Sequence, residues 1–299
     1  MLETAAALTV IAVLLAWPVP MLLARAAWPA RAPATALVAW QAIALAGGLA
    51  MIGAPLSLAV AGYGDDLVRG LAGLVRAIVA GRAPASAMVL LAVAALLGLW
   101  LVGHLVVTLV QVARQRRRHA VLLQLLSSAH PTRAGARVIE GSAPVAYCLP
   151  RGSGSATVLS RGLLDLLDAD ELDAVVHHED AHVRQRHDIL LVAFRAWHSA
   201  LPRFPVAALA EGRVAELVEM LADDRARRSI ADAVLARAIH RVGEVGSASS
   251  AAAAARRAAR LSAPPLAASE RAAVVLGSVA LVTVPTLWIA LPALAGAGG

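Results

Sequence analysis

Long apolar stretches, separated by short polar segments, are the most regular feature of the chain. A membrane-spanning helix needs about 20 apolar residues, and four stretches reach that length, at residues 5–24, 35–62, 87–112 and 272–295. Pro18 and Pro20 lie inside the first stretch and predict a kink there. The pattern predicts three transmembrane helices within residues 1–112 and a fourth within residues 272–299.

A shorter amphipathic stretch lies between the second and third predicted spans. Residues 66–81 have apolar side chains at helical spacing and carry Arg69 and Arg76. They predict an outer helix that lies in the membrane interface, with a plain loop as the alternative.

Arginine-rich flanks predict the orientation of the spans, because basic residues favour the cytoplasmic side. Arginines concentrate in residues 25–31, 114–118 and 256–271, and these three segments share one side if there are four spans. We therefore expect a multi-pass protein of the cell membrane, with residues 113–271 in the cytoplasm and both termini outside.

Composition supports this interpretation and argues against nucleic-acid binding. Hydrophobic residues make up 59% of the chain, the mean hydropathy is +0.70, and the net charge is +7 without a single lysine. The positive charge is explained by membrane topology, so we expect the lipid bilayer as a partner and no direct contact with nucleic acid. The single cysteine, Cys148, excludes an internal disulfide.

The predicted cytoplasmic segment divides into a domain at 113–245 and an Ala/Ser/Pro-rich connector at 246–271. Short β-like runs at 138–140, 146–149 and 157–160 predict a small sheet. Residues 168–197 then predict one helix, with Asp168 as N-cap and Glu171 three residues on.

That predicted helix carries the sequence HHEDAHVRQRHD at 177–188. His178 and His182 are four residues apart, so both imidazoles can point at one ion, and Glu179 lies beside that ion. This is the arrangement that binds zinc and removes a proton from a water molecule. His177 lies on another face, whereas His187 and Asp188 either support the site or take no part in it.

A catalytic zinc site usually has a third protein ligand. Glu219 and Asp223 are four apart on a second predicted helix. Glu219 is a candidate ligand, and Asp223 can accept the second N–H of a ligating histidine. Other acids compete for these roles, namely Glu211, Glu216 and Asp224.

The motif HEDAHVRQRHD, preceded by LLDLLDADELDAVV and followed by LVEMLADDRAR, resembles the BlaR/MecR-type membrane metallopeptidases, relatives of the HtpX proteases. The resemblance implies a mostly α-helical membrane protein with a cytoplasmic α+β, gluzincin-like domain and one zinc ion per chain. It also implies that His178, His182 and Glu219 are metal ligands, Glu179 is the general base, and Asp223 orients a ligand.

In such peptidases a strand edge beside the active-site helix binds the extended substrate. Ala146, Tyr147 and Cys148 are the matching residues here, and Tyr147 either packs or stabilises a developing oxyanion. Sensor members carry a penicillin-binding domain after the last span, and this sequence is expected to lack it.

The resemblance implies a membrane-embedded endopeptidase that cleaves a cytoplasmic protein, with a winged-helix repressor as the suggested substrate. The alternatives are an HtpX-like quality-control protease and a non-catalytic membrane transducer. The sequence does not determine the activating signal or the oligomeric state. His104, inside the third predicted span, suggests either a hydrogen bond within the bundle or a proton relay.

Overall fold

The computed structural model describes residues 1–130, 136–151, 154–245 and 247–295. Gly246 of the predicted connector and residues 296–299 of the predicted fourth span lie outside the described residues. Within the described ranges the chain is mostly helical and contains one small mixed sheet.

Mainly apolar helices form residues 2–126. In chain order they are α1 (Leu2–Ala16), α2 (Pro18–Arg25), α3 (Pro33–Val60), α4 (Leu67–Val79) and α5 (Ala85–Leu126). The kink predicted at Pro18 and Pro20 is present, because the helix is interrupted at Trp17 between α1 and α2. A helix is also present where residues 66–81 predicted one, and its N-cap Asp66 accepts a hydrogen bond from the Arg69 backbone N–H at 2.8 Å.

A four-stranded sheet follows α5 directly. Its strands are β1 (Ser127–Ala129), β2 (Ala136–Ile139), β3 (Ala146–Arg151) and β4 (Gly154–Ser160). The order is β1-β2-β4-β3, with β2 and β4 parallel and the other pairs antiparallel. Strands occupy all three predicted runs, whereas β1 was not predicted. In the described part of the sheet, β3 is an edge strand.

The remaining elements are helices. They are α6 (Arg161–Leu166), α7 (Ala169–Arg184), α8 (His187–Ala200), α9 (Pro205–Ala226), α10 (Asp232–Glu244), α11 (Ala248–Arg260) and α12 (Ala268–Ala295). The prediction of one helix over 168–197 is wrong. The helix stops at Arg184, and Arg186 adopts a left-handed conformation with φ 49° before α8 begins.

Among the described residues, four helical stretches have the length and composition to cross a membrane. They are Leu2–Arg25, Pro33–Val60, Ala85–Leu123 and Ala268–Leu287. These stretches coincide with the four predicted spans, and the third extends well beyond its predicted end at residue 112.

Helices α8 and α9 share a core with these apolar helices. Trp40 of α3 packs edge-on against Phe194 of α8, and Val214, Leu217 and Val218 of α9 belong to the same buried cluster. Burial of this apolar surface stabilises α8 and α9 against α3. The two helices that flank the cluster are therefore held rigidly against the candidate spans.

The end of α8, where the chain turns into α9, contacts the first half of α5. The Trp100 indole N–H donates to the Ala200 carbonyl at 3.3 Å, and His104 Nδ1 lies 2.6 Å from Ser199 Oγ. His104 thus has a hydrogen-bond partner on α8 and not on another candidate span, which differs from the predicted bond within the transmembrane bundle.

Helix α11 lies within the predicted connector, and it packs against α10 through small residues. Ala254 and Ala258 are buried there beside Leu235 and Ala238. A Cβ at Gly243 would lie 2.4 Å from the Ala254 Cβ, so the approach of the two helices requires glycine at that position.

Candidate metal centre

Helix α7 carries the paired histidines, and its N-terminus is firmly fixed. Asp168 and Glu171 form a reciprocal capping box, in which each side chain accepts from the other residue's backbone N–H. The buried Glu171 carboxylate also accepts from Arg241 at 2.6 Å. The predicted cap is therefore present, and it fixes the helix that presents His178, Glu179 and His182.

Three candidate ligand atoms converge between α7 and α9. The His178 and His182 Nε2 atoms are 3.1 Å apart. Glu219 Oε2 lies 3.3 Å from His178 Nε2, and Glu219 Oε1 lies 3.5 Å from His182 Nε2. Tetrahedral zinc with bonds of about 2.0–2.1 Å separates its ligand atoms by roughly 3.3 Å. The three side chains therefore fit one zinc ion closely.

Each imidazole is oriented through its other nitrogen. His178 Nδ1 lies 2.9 Å from Asp223 Oδ1, and Asp223 is fully buried. His182 Nδ1 lies 3.0 Å from His187 Nδ1, and His187 Nε2 lies 2.7 Å from Gln185 Oε1. If His187 Nε2–H donates to Gln185, its Nδ1 is free to accept from His182. Both Nε2 atoms are then left to face an ion.

His187 is thus part of the site. Of the two alternatives that the sequence left open for it, the structure shows the supporting role. The break after α7 folds the chain back so that His187 reaches His182, which a continuous helix would not allow. Asp188 instead forms an ion pair with Arg116 of α5. His177 is exposed and its Nδ1 bonds to the Asp173 carbonyl of its own helix, so it takes no part in the site.

The competing acids have other partners. Glu211 contacts His198 at 2.7 Å, Glu216 contacts Arg213 at 3.0 Å, and Asp224 contacts Arg260 at 2.9 Å. Of the acids on α9 that the sequence left open, only Glu219 joins the described group of candidate metal ligands.

Arg257 of α11 is the residue that the sequence analysis missed. Its guanidinium donates to both Asp223 oxygens, at 2.7 and 2.9 Å, and lies 3.2 Å from Glu219 Oε2. The connector's low-complexity composition gave no sign of a site residue. Three arginines, at 256, 257 and 260, interrupt the run of alanines, and nothing local distinguished Arg257 from the other two.

The charged groups of the centre shift one another's pKa values. Burial by itself lowers the pKa of His178, but hydrogen bonds to Asp223 and Glu219 outweigh it and raise the pKa to about 9. Burial and the charge of His178 lower the pKa of His182 to about 4. Burial opposes ionisation of Glu219, yet the hydrogen bond to His178 and the charges of His178 and Arg257 lower its pKa to about 2. Burial raises the pKa of Glu179 to about 7.

A cleft opens beside these groups. Glu179, Tyr147 and Cys148 line it together with His178, His182 and Glu219. Tyr147 is 46% exposed, so it is available to a ligand rather than packed away. Ala146 instead packs beneath the sheet, against the cluster of Leu159 and Leu163. Burial raises the pKa of the Cys148 thiol to about 11, so it stays protonated.

Comparisons with known proteins indicate a peptidase. The model of peptidase family M48 matches residues 112–263, a region that runs through α11. The chain is 33% identical over 79 residues to the protease HtpX homolog of Aquifex aeolicus. That alignment covers 26% of each protein, so the chain matches about a quarter of this relative's length. No solved structure gives a significant match.

Metal binding should release a proton, because a metal at Nε2 must replace the proton that His178 carries below pH 9. His182 is already neutral at pH 7. We expect release of about one proton per zinc ion at pH 7, and weaker zinc binding as the pH falls. Calorimetric titration with zinc, in buffers of different ionisation enthalpy, measures this number. Proton uptake, or no exchange, would contradict the assignment of His178 as ligand.

Proposed function

Because the chain belongs to peptidase family M48, we propose that it is a zinc-dependent membrane endopeptidase. The metal centre and the cleft beside it constitute its active site. The observation that carries the proposal is the convergence of His178, His182 and Glu219 on one point, with spacings that match tetrahedral zinc.

In this proposal the two imidazoles and the Glu219 carboxylate hold the metal, which leaves a position open for water or substrate. A zinc ion bound there would polarise the scissile carbonyl and acidify a water molecule. Asp223 and His187 keep the imidazoles in the required orientation through their Nδ1 atoms. Asp223 and His187 are both buried.

Glu179 is the proposed general base. Its carboxyl lies on the same helix as both histidines and faces the cleft. Because burial holds its pKa near 7 in the metal-free protein, the group has useful proton affinity at neutral pH. It takes the proton from the attacking water and delivers it to the leaving amine.

Strand β3 is the proposed substrate-binding edge. It pairs with β4 on one side, with Tyr147 opposite Val158, and its Tyr147 and Cys148 side chains line the cleft. An extended peptide can add to such an edge through backbone hydrogen bonds, without demanding one particular side chain. This supports hydrolysis of an extended protein segment. Of the three predicted contact residues, Ala146 would contribute only its backbone.

We also propose the predicted topology, with four spans, a cytoplasmic active site and both termini outside. Support comes from the four long apolar helices and from the arginines that flank them. The cleft is lined by Arg116, Leu122 and Leu126 of the long helix α5. In the proposed topology it would lie just below the inner membrane surface. Substrates would therefore be cytoplasmic or juxtamembrane segments.

Two substrate classes remain in this proposal. The resemblance to BlaR/MecR-type peptidases favours a cytoplasmic repressor, whereas the HtpX-like alternative is a quality-control protease. The match to a protease HtpX homolog supports that alternative. An edge strand that reads mainly backbone suits either class. Proteomic comparison of cells with wild-type or Glu179→Gln protein would separate the two substrate classes. Fragments that form only with the wild type would identify the proteins that it cleaves.

Glu179→Gln should abolish peptide-bond hydrolysis while zinc stays bound, because the amide cannot accept the proton but no ligand is lost. His178→Ala should lose both zinc and activity. Zinc content by elemental analysis and fragment formation by mass spectrometry measure the two effects. His177→Ala, which alters an exposed residue outside the site, is the matched control.

Fragment formation by Glu179→Gln at the wild-type rate would favour the non-catalytic transducer or another protease. Retention of one zinc per chain by His178→Ala would show that the ligand set is wrong.

Cysteine labelling can test the proposed topology, because Cys148 is the only native cysteine. In a Cys148→Ser background, Gly62→Cys and Ser249→Cys introduce single thiols at exposed positions. The proposed topology assigns these two positions to opposite sides of the membrane. A membrane-impermeant maleimide should label the first in intact cells and the second only after lysis. The reverse pattern would invert the topology.

A further inference from the structure

Arg257 lies at the centre of a buried ion network that joins three helices. Its side chain is only 18% exposed, and its partner Asp223 is completely buried. Besides the two Asp223 oxygens, it reaches Glu219 Oε2 at 3.2 Å and lies 3.5 Å from His178 Nδ1. One guanidinium on α11 therefore contacts a proposed ligand from α7, a proposed ligand from α9, and the acid that orients the first.

The geometry of these contacts is that of a clamp. A guanidinium presents its N–H donors in a rigid planar fork, which suits two-point contact with a carboxylate. Arg257 Nε and one terminal nitrogen hold Asp223, and the other terminal nitrogen holds Glu219. The two carboxylates are thereby fixed relative to each other, although each makes a different contact with His178.

We propose that Arg257 is a positioning residue, which holds Asp223 and Glu219 so that His178 and Glu219 present their ligand atoms to one zinc ion. This inference rests on the proposed metal site and adds α11 to the machinery around it. Arg257 acts through its neighbours and does not itself ligate the metal. The predicted connector thus supplies a necessary part of the active site.

The neighbouring arginines of α11, Arg256 and Arg260, make different contacts. Arg256 contacts Glu216 at 3.0 Å, one turn away from the metal centre, and is 56% exposed. Arg260 donates to the Met220 carbonyl at 2.5 Å and pairs with Asp224. These contacts attach α11 to α9, while only Arg257 of the three approaches a proposed ligand. Arg256 is therefore a matched control, with the same charge on the same pair of helices.

Two opposite effects of removing Arg257 can be distinguished by their sign. A guanidinium near the site repels a divalent cation, so a purely electrostatic role predicts tighter zinc binding without it. A positioning role predicts weaker binding, because Asp223 and Glu219 lose their common support. Loss of such supporting contacts typically weakens metal binding about 10–100-fold.

The experiment compares full-length wild type with Arg257→Ala, Arg257→Lys and Arg256→Ala in detergent. Zinc affinity is measured by competition with a chromogenic chelator. We expect Arg257→Ala to bind zinc about 10–100-fold more weakly and Arg256→Ala to stay within about threefold of wild type. Arg257→Lys should recover part of the loss, since an ammonium keeps the charge without the fork.

Cobalt substitution provides a second readout that a change in stability alone would not move. The visible absorption of bound Co²⁺ reports ligand geometry, and we expect it to change in Arg257→Ala but not in Arg256→Ala. Thermal unfolding of the metal-free proteins shows whether each variant is folded. If Arg257→Ala is unfolded, Arg257→Lys is compared with wild type and Arg256→Ala instead.

Unchanged or tighter zinc binding by folded Arg257→Ala would overturn the proposal. Equal losses in Arg257→Ala and Arg256→Ala would also overturn it, because α11 would then matter only as packing. Failure of the wild type to bind zinc would instead reject the proposed function itself, so the two failures are distinguishable.

Discussion

The structure depends on a charge network around the buried Asp223, in which His178, Asp223, Glu219 and Arg257 compensate one another. Isolated charges in a protein interior are costly, and a carboxylate such as Asp223 is tolerated there only with close partners. Here Asp223 has an imidazole on one side and a guanidinium on the other. Because the partners come from α7, α9 and α11, satisfying these charges also fixes the three helices around one point.

Helix α9 is also held from the opposite side by apolar packing. The α8–α9 hairpin shares its buried cluster with α3, and the hairpin tip bonds to α5 through Trp100 and His104. The Glu219 carboxylate thus sits on a helix whose other end is packed among candidate membrane spans. The helix that carries Glu219 and the candidate spans therefore belong to one packed unit.

Local patterns in the sequence predicted much of this arrangement. Helical spacing placed His178 and His182 on one face, and Asp168 with Glu171 marked the beginning of their helix, because these are interactions between residues a few positions apart. Pairing Glu219 with them required the family resemblance, since nothing local relates two separate helices. The apolar runs likewise predicted the long helices but not how α8 and α9 pack among them.

The role of Arg257 and the contact of His187 with His182 could not be predicted in this way, and each has a physical reason. His187 reaches His182 only because Arg186 adopts a left-handed conformation, and no glycine or proline marks that break. Arg257 lies on a helix whose buried face consists of alanines, which pack tightly against Gly243 without a visible apolar pattern. Both depend on tertiary contacts that a sequence window does not contain.

X-ray absorption at the zinc edge of the purified full-length protein tests the central claim most directly. The account predicts a shell of nitrogen and oxygen ligands at about 2.0–2.1 Å, with outer-shell scattering from two imidazoles. A sulfur ligand at about 2.3 Å, or a shell without imidazole scattering, would contradict it.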